Sequence, residues 1–215
     1  MKYDNIRQAM LLYAVTDRAW VGRQTLYEQV ECALQGGATC IQLREKELDD
    51  AAFLAEALEL KSLCHAHNVP LIINDNVTVA LQSGADGIHV GQHDQAAQEV
   101  RRLAGDDIVL GVSVQTVEQA LQAQQDGADY LGVGAVFPTA TKEDADAVSR
   151  ETLRAICDAV SIPVVAIGGI SQANLPELAG TGVDGVALVS AIFSAEDISA
   201  ACQTLRALSE RMVEA

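Results

Sequence analysis

Basic residues are scarce in this chain of 215 residues: 14 Lys and Arg stand against 30 Asp and Glu, a formal net charge of −16. Nucleic acid and anionic membrane surfaces would be repelled by such a field, so neither is expected as a partner. Long apolar runs are missing too. The run from Met10 to Val15 is too short for a signal peptide and ends in Thr16-Asp17, and no stretch is long enough to span a bilayer. The five cysteines, at 32, 40, 64, 157 and 202, are widely spaced and form no C-x-x-C pair. Reduced, mostly buried thiols in a cytoplasmic protein fit that pattern, with no chemistry assigned to them. What the chain does have is apolar residues, 49% of the total, enough for one sizeable core and a single domain over 1–215.

The apolar residues fall into short runs at Leu11–Val15, Thr39–Leu43, Val69–Ile73, Gly87–Val90, Ile108–Val112, Tyr130–Val133, Pro163–Ile167 and Gly185–Val189. Each is rich in Val, Ile and Leu without polar alternation, as strands covered on both faces should be. Helical stretches separate them: Gln24–Gln35, Asp50–Ala66, Val77–Gln82, Ala96–Leu103, Val117–Gln125, Arg150–Ala159 and Leu175–Ala179, with Asp197–Met212 closing the chain. Asp49, Asp94, Thr116 and Ser149 are placed to cap the helices that follow. A motif recurs between helix and strand, as Gly37-Ala38-Thr39, Gly84-Ala85-Asp86, Gly127-Ala128-Asp129 and Gly182-Val183-Asp184. Glycine there allows the left-handed turn that ends a helix, and the polar residue turns the chain back into the sheet. Eight βα units with short connections read as a (β/α)8 TIM barrel rather than a doubly wound sheet, which would have fewer strands and an exposed edge.

Chemistry in such a barrel sits on the loops that follow the strands. After the second strand come Gln42-Leu43-Arg44-Glu45-Lys46, a polar pair on one strand face and two cations. They suit an anion with several oxygens, although an exposed loop whose cations only balance Glu45 and Glu47 would look the same. Strand three ends in Asn74-Asp75-Asn76, strand four in His89-Val90-Gly91-Gln92-His93-Asp94 and strand five at Ser113. Strand six leads into Phe137-Pro138-Thr139-Ala140-Thr141-Lys142, strand seven into Gly168-Gly169 and strand eight into Val189-Ser190. The opposite end of the barrel reads as having almost none of this. Asp75 and Asp94, from neighbouring strands, are able to share a hard cation such as Mg²⁺, or each to cap the next helix. Gly169, Val189 and Ser190 lie where barrels of this type usually cradle a phosphate. His65 and His67 diverge on a helix, His89 either lines or fills the barrel, and His89 with His93 and Asp94 makes a weak zinc set.

Taken in order, Gln42 to Lys46, Asn74-Asp75, Gly91 to Asp94, Gly111-Val112-Ser113, Pro138 to Lys142 and Gly168-Gly169-Ile170 resemble the thiamine-phosphate synthase family. The likeness runs from Leu12 to about Ile192. It implies a transferase that joins hydroxymethylpyrimidine diphosphate to a thiazole phosphate, with Mg²⁺, releasing pyrophosphate. Carried over by position, it places the pyrimidine diphosphate against Gln42, Leu43, Arg44, Glu45, Lys46, Asn74, Ser113 and Lys142. It implies Mg²⁺ on Asp75 and Asp94, and the thiazole phosphate along Thr139, Ala140, Thr141, Gly169, Val189 and Ser190. Arg44, Lys46, Ser113 and Lys142 form the implied catalytic set. Ala135 departs from the family, which usually has proline there; related thiazole tautomerases carry histidine at that position, which argues against them. A phosphosugar isomerase, epimerase or decarboxylase would share the glycine loops without needing the second cation cluster, and an inactive binding barrel should have lost some of the charged loop residues.

Overall fold

The computed structural model describes residues 5–22, 24–92, 96–138 and 147–215. Eight parallel strands close into a barrel in which each strand pairs with its neighbours in sequence and β1 pairs with β8. They are β1 Leu12–Val15, β2 Cys40–Leu43, β3 Leu71–Asn74, β4 Gly87–Val90, β5 Val109–Val114, β6 Tyr130–Val133, β7 Val164–Ile167 and β8 Gly185–Leu188. The helices are α1 Ile6–Ala9, α2 Leu26–Gln35, α3 Asp50–Ala66, α4 Val77–Ser83, α5 Ala97–Ala104, α6 Val117–Gln125, α7 Arg150–Ala159, α8 Ser190–Phe193 and α9 Ile198–Val213. Short 3₁₀ turns at Arg18–Trp20 and Leu175–Leu178 complete the set.

Strand alternation divides the apolar residues into two layers. Outward side chains such as Ile41, Leu43, Ile73, Leu110 and Leu131 pack against the helices in the main core. Inward ones (Tyr13, Val15, Cys40, Ile72, Val109, Tyr130, Val165 and Ala187) fill the barrel, with Ala9 and Met10 alongside them. Fully burying an aliphatic side chain of this kind contributes about 1.5–3 kcal/mol, so both layers drive closure. Asp49, Thr116 and Ser149 each accept a backbone N–H in the first turn of α3, α6 and α7, as a cap should. The cap expected from Asp94 is not the one found. Helix α5 has Ala96 at its N-cap, with no side-chain hydrogen bond, and Asp94 itself lies outside the described residues.

The recurring motif has a more specific task than turning the chain. Asp86, Asp129 and Asp184 each accept an amide at the start of the preceding strand: Leu71 at 2.9 Å, Leu110 at 3.0 Å and Val164 at 2.8 Å. Thr39 does the same with its hydroxyl for Leu12, at 2.8 Å. The glycines two residues earlier have φ of 94°, 66°, 93° and 88° at 37, 84, 127 and 182. Each carboxylate is then met by a cation from an adjoining element: Lys61 on Asp86 at 2.6 Å, Arg101 on Asp129 at 2.7 Å, and Arg7 on Asp184. The end of the barrel away from the strand C-termini is therefore charged as well, contrary to the sequence reading. Its charges are spent in pairs that fix strand starts.

Candidate active site

The C-terminal ends of the strands carry a concentration of charged and polar side chains, and the second loop is the most elaborated. Its organiser is Glu45, whose carboxylate is almost wholly buried. Oε1 accepts the amides of Lys46 and Glu47, both at 2.7 Å, and Oε2 accepts Arg18 Nε at 2.6 Å. Arg18 also bridges to Glu56 at 2.9 Å. Burial pushes the Glu45 carboxyl up, but Arg18 and the two amides outweigh it and hold the group below its usual value. With the loop wrapped around Glu45, Arg44 and Lys46 project from either side. Arg44 meets Asp17 at 3.2 Å, and its amide donates to Thr16 Oγ1 at 3.0 Å. Lys46 Nζ lies 2.5 Å from Asp75 Oδ2. Neither cation balances Glu45, so the bland reading of this loop does not describe it.

Asp75 sits at the end of β3 with φ of 61°, and its amide donates to the His89 carbonyl at 2.8 Å. The Asn74 carboxamide donates to the same carboxylate oxygen as Lys46, at 2.6 Å. Lys46, Asn74 and Asp75 thus converge at the mouth from two adjacent strands. Asn76, not Asp75, caps α4 by accepting the Val79 amide at 2.9 Å. The Asp75 carboxylate instead faces Lys46 and Asn74.

Deeper in the barrel, Gln42 is buried and donates to Tyr13 Oη at 2.7 Å, while Ser113 Oγ lies 2.8 Å from His89 Nε2. Leu43 points the other way, into the core between barrel and helices, so only its backbone faces the mouth. On the far side, loop seven is shaped by its contact with loop six. A Cβ on Gly169, whose φ is 66°, would stand 2.4 Å from the Pro138 carbonyl oxygen and 2.6 Å from that of Phe137. Asn174 clamps this loop, donating to the Gly169 carbonyl at 2.9 Å and accepting the Ser171 amide at 2.7 Å. Val189 precedes the short helix α8, whose first amides, beginning with that of Ser190, have no partner within the helix. The Gly134–Ala135 peptide between β6 and this region is cis. Thr139, Ala140, Thr141 and Lys142, together with His93 and Asp94, lie outside the described residues.

Sequence reasoning missed Asp17, Arg18 and Asn174. Thr16-Asp17 directly after β1 was the available signal, since it occupies the same place at the barrel mouth as the loops after the other strands. Among the described residues, no cluster of three or more His, Cys, Asp and Glu forms a ready-made metal cage.

A closed parallel barrel with cations, carboxylates and glycine loops at its C-terminal mouth defines a (β/α)8 enzyme that handles anionic small molecules. The sequence profile described as thiamine monophosphate synthase matches residues 12–192. Thiamine-phosphate synthase from Clostridium tetani (strain Massachusetts / E88) is 50% identical over 194 residues, covering 90% of this chain and 93% of the relative. That from Ruminiclostridium cellulolyticum is 52% identical, covering 90% and 92%. A solved thiamine phosphate pyrophosphorylase from Pyrococcus furiosus superimposes with a TM-score of 0.90 at 39% identity, over 97% of this chain and 100% of that one. KGPDC from Streptococcus mutans, at 14% identity and a TM-score of 0.63, shares the fold alone. The chain belongs to the thiamine monophosphate synthase family and is a biosynthetic transferase with thiamine-phosphate synthase activity. No helix among the described residues is long and apolar enough to cross a membrane.

Proposed function

We propose that this enzyme joins hydroxymethylpyrimidine diphosphate to a thiazole phosphate in a substitution that breaks the carbon–oxygen bond before the carbon–nitrogen bond is complete. The electron pair of the breaking bond leaves with pyrophosphate, and the thiazole nitrogen donates the pair for the new bond. An electron-rich aminopyrimidine stabilises the intervening methylene cation, so no protein nucleophile is required. The observation that carries this reading is the convergence of Lys46 and Asn74 on Asp75, with Arg44 held by Asp17 on the other side of the same loop, at the mouth of a strongly acidic chain.

Arg44 and Lys46, with Lys142, stabilise the charge that grows on departing pyrophosphate, and fixed charges of this kind act mainly in the transition state. Asp17 and Asp75 keep Arg44 and Lys46 oriented before substrate arrives. Gln42 and Ser113 hold the pyrimidine, and the amides around Gly169, Val189 and Ser190, with Thr139 to Thr141, anchor the thiazole phosphate behind the reacting carbon. A hard divalent ion accepts one or two carboxylates and completes its shell with water and phosphate oxygens. The partly exposed Asp75, together with Asp94, fits that requirement. Mg²⁺ held there would supply further positive charge to the diphosphate. Omitting either substrate in turn tests the pairing: pyrophosphate release should require both.

A further inference from the structure

A continuous run of hydrogen bonds crosses the barrel interior and joins the two residues assigned to the pyrimidine. Gln42 Nε2 donates to Tyr13 Oη at 2.7 Å, and the hydroxyls of Tyr13 and Tyr130 are 2.8 Å apart. Tyr130 Oη lies 2.9 Å from His89 Nδ1, and His89 Nε2 lies 2.8 Å from Ser113 Oγ. Five side chains from β2, β1, β6, β4 and β5 take part. The barrel makes room for them with glycine. A Cβ on Gly111, which stands in register with both His89 and Tyr130, would come 2.2 Å from Tyr130 Cζ and 2.5 Å from His89 Nδ1. The rings also pack, with centroids 5.9 Å apart for Tyr13 and Tyr130 and 5.5 Å apart for His89 and Tyr130.

Each tyrosine hydroxyl has one proton to give, and burial pushes both well above the ordinary tyrosine value, so both stay protonated. The amide of Gln42 donates to the Tyr13 oxygen, which leaves the Tyr13 proton to be donated to Tyr130. A one-way run then continues from Tyr13 to Tyr130, from Tyr130 to His89 Nδ1, and from His89 Nε2–H to Ser113 Oγ. At the far end the Ser113 proton is left for the mouth. At the near end the Gln42 carboxamide oxygen is left. Among the described residues no hydrogen bond to it is found and it is not a sealed atom, so it is available to accept one from a bound molecule.

We infer that Tyr130 and His89 are positioning residues that hold Ser113 as a donor and Gln42 as an acceptor toward the pyrimidine, and so select an amino-pyrimidine over its oxo counterpart. This rests on the placement of the pyrimidine proposed above. A 4-aminopyrimidine offers N–H groups to an acceptor and ring nitrogens to a donor, whereas the oxo form reverses part of that pattern. Direction, not charge, carries the selectivity, and it is imposed from residues that need not touch the substrate.

Two measurements test it. In the parent protein, ¹⁵N NMR of His89 should find the proton on Nε2; a proton on Nδ1 would overturn the inference without any variant. In a double-mutant cycle, Tyr130→Phe should weaken binding of the pyrimidine diphosphate by about three- to tenfold. The KM for thiazole phosphate should stay within about twofold. Added to Ser113→Ala, Tyr130→Phe should weaken binding little further, because its effect passes through Ser113. A Tyr130→Phe loss that persists in full in the Ser113→Ala background would make Tyr130 a packing residue and overturn the inference. A parent protein that forms no thiamine phosphate overturns the proposed reaction, and this inference with it; an active parent with an additive cycle overturns only the inference.

Discussion

Lys46 and Asp75, 29 residues apart, meet at 2.5 Å across the mouth of the barrel. The lysine is half exposed, and an ion pair of that kind contributes at most about 1 kcal/mol to stability. Its value lies in placing a cation and a carboxylate at the ends of β2 and β3, where the diphosphate is proposed to arrive.

Asp75→Asn is therefore expected to lower turnover by about 10²–10³ while shifting stability by less than about 1 kcal/mol. Asparagine tolerates the left-handed backbone found at this position, so the fold should be retained. Circular dichroism and steady-state kinetics on the same sample check both halves. Full turnover in excess chelator, with metal shown to be absent, would remove the divalent ion from the proposal.

Glu45 sets the acid limit of the loop. Its folded carboxyl titrates below the unfolded value, so the ionised group stabilises the protein above about pH 4.3. That contribution is lost as pH falls from there through the lowered folded value. Glu45→Gln should cost roughly 1.5–3 kcal/mol at pH 7, and much less near pH 3. Denaturant melts at the two pH values decide it; an equal cost at both would mean the charge is not what holds the loop.

Replacing Gly169 with alanine tests why glycine is there. Backbone approach to a phosphate alone would predict damage confined to the thiazole substrate. The Cβ would instead strike the Phe137 and Pro138 carbonyls, and Pro138 leads directly into the segment holding Thr139 to Lys142. Both KM values should rise together, with a stability loss of about 1–3 kcal/mol from the positive φ. A selective rise for thiazole phosphate would restore the simpler view.

Lys142→Ala should slow the chemical step far more than it weakens binding. Loss of a contact to a group gaining charge in the transition state typically costs about 10²–10³ in rate, against about ±0.5 kcal/mol for a solvated loop charge. Single-turnover kinetics separate the two. A rate within about threefold of the parent, or roughly 0.6 kcal/mol, would take Lys142 out of the site.

The barrel was legible because strands buried on both faces write themselves as short runs of Val, Ile and Leu, and the capping residues Asp49, Thr116 and Ser149 mark where helices begin. The mouth was legible because cations are rare in this chain. Arg18 and Asp17 were not, since their partners Glu45 and Arg44 lie 27 residues away and only closure of β1 against β2 brings them together. Tyr13 and Tyr130 were hidden for a different reason: inside an apolar run a tyrosine reads as core, and its hydroxyl acquires meaning only when the barrel sets His89 beside it. The aspartates of the recurring motif showed their position but not their task, because the amide each one accepts lies at the start of a strand that comes 15 to 20 residues earlier.

The most direct measurement is incubation of the purified protein with hydroxymethylpyrimidine diphosphate, thiazole phosphate and Mg²⁺, following thiamine phosphate and pyrophosphate together. The two products should appear in equal amounts, and neither should form when one substrate is left out. Pyrophosphate released without thiamine phosphate, or no release at all from protein shown to be folded, would contradict the proposed coupling.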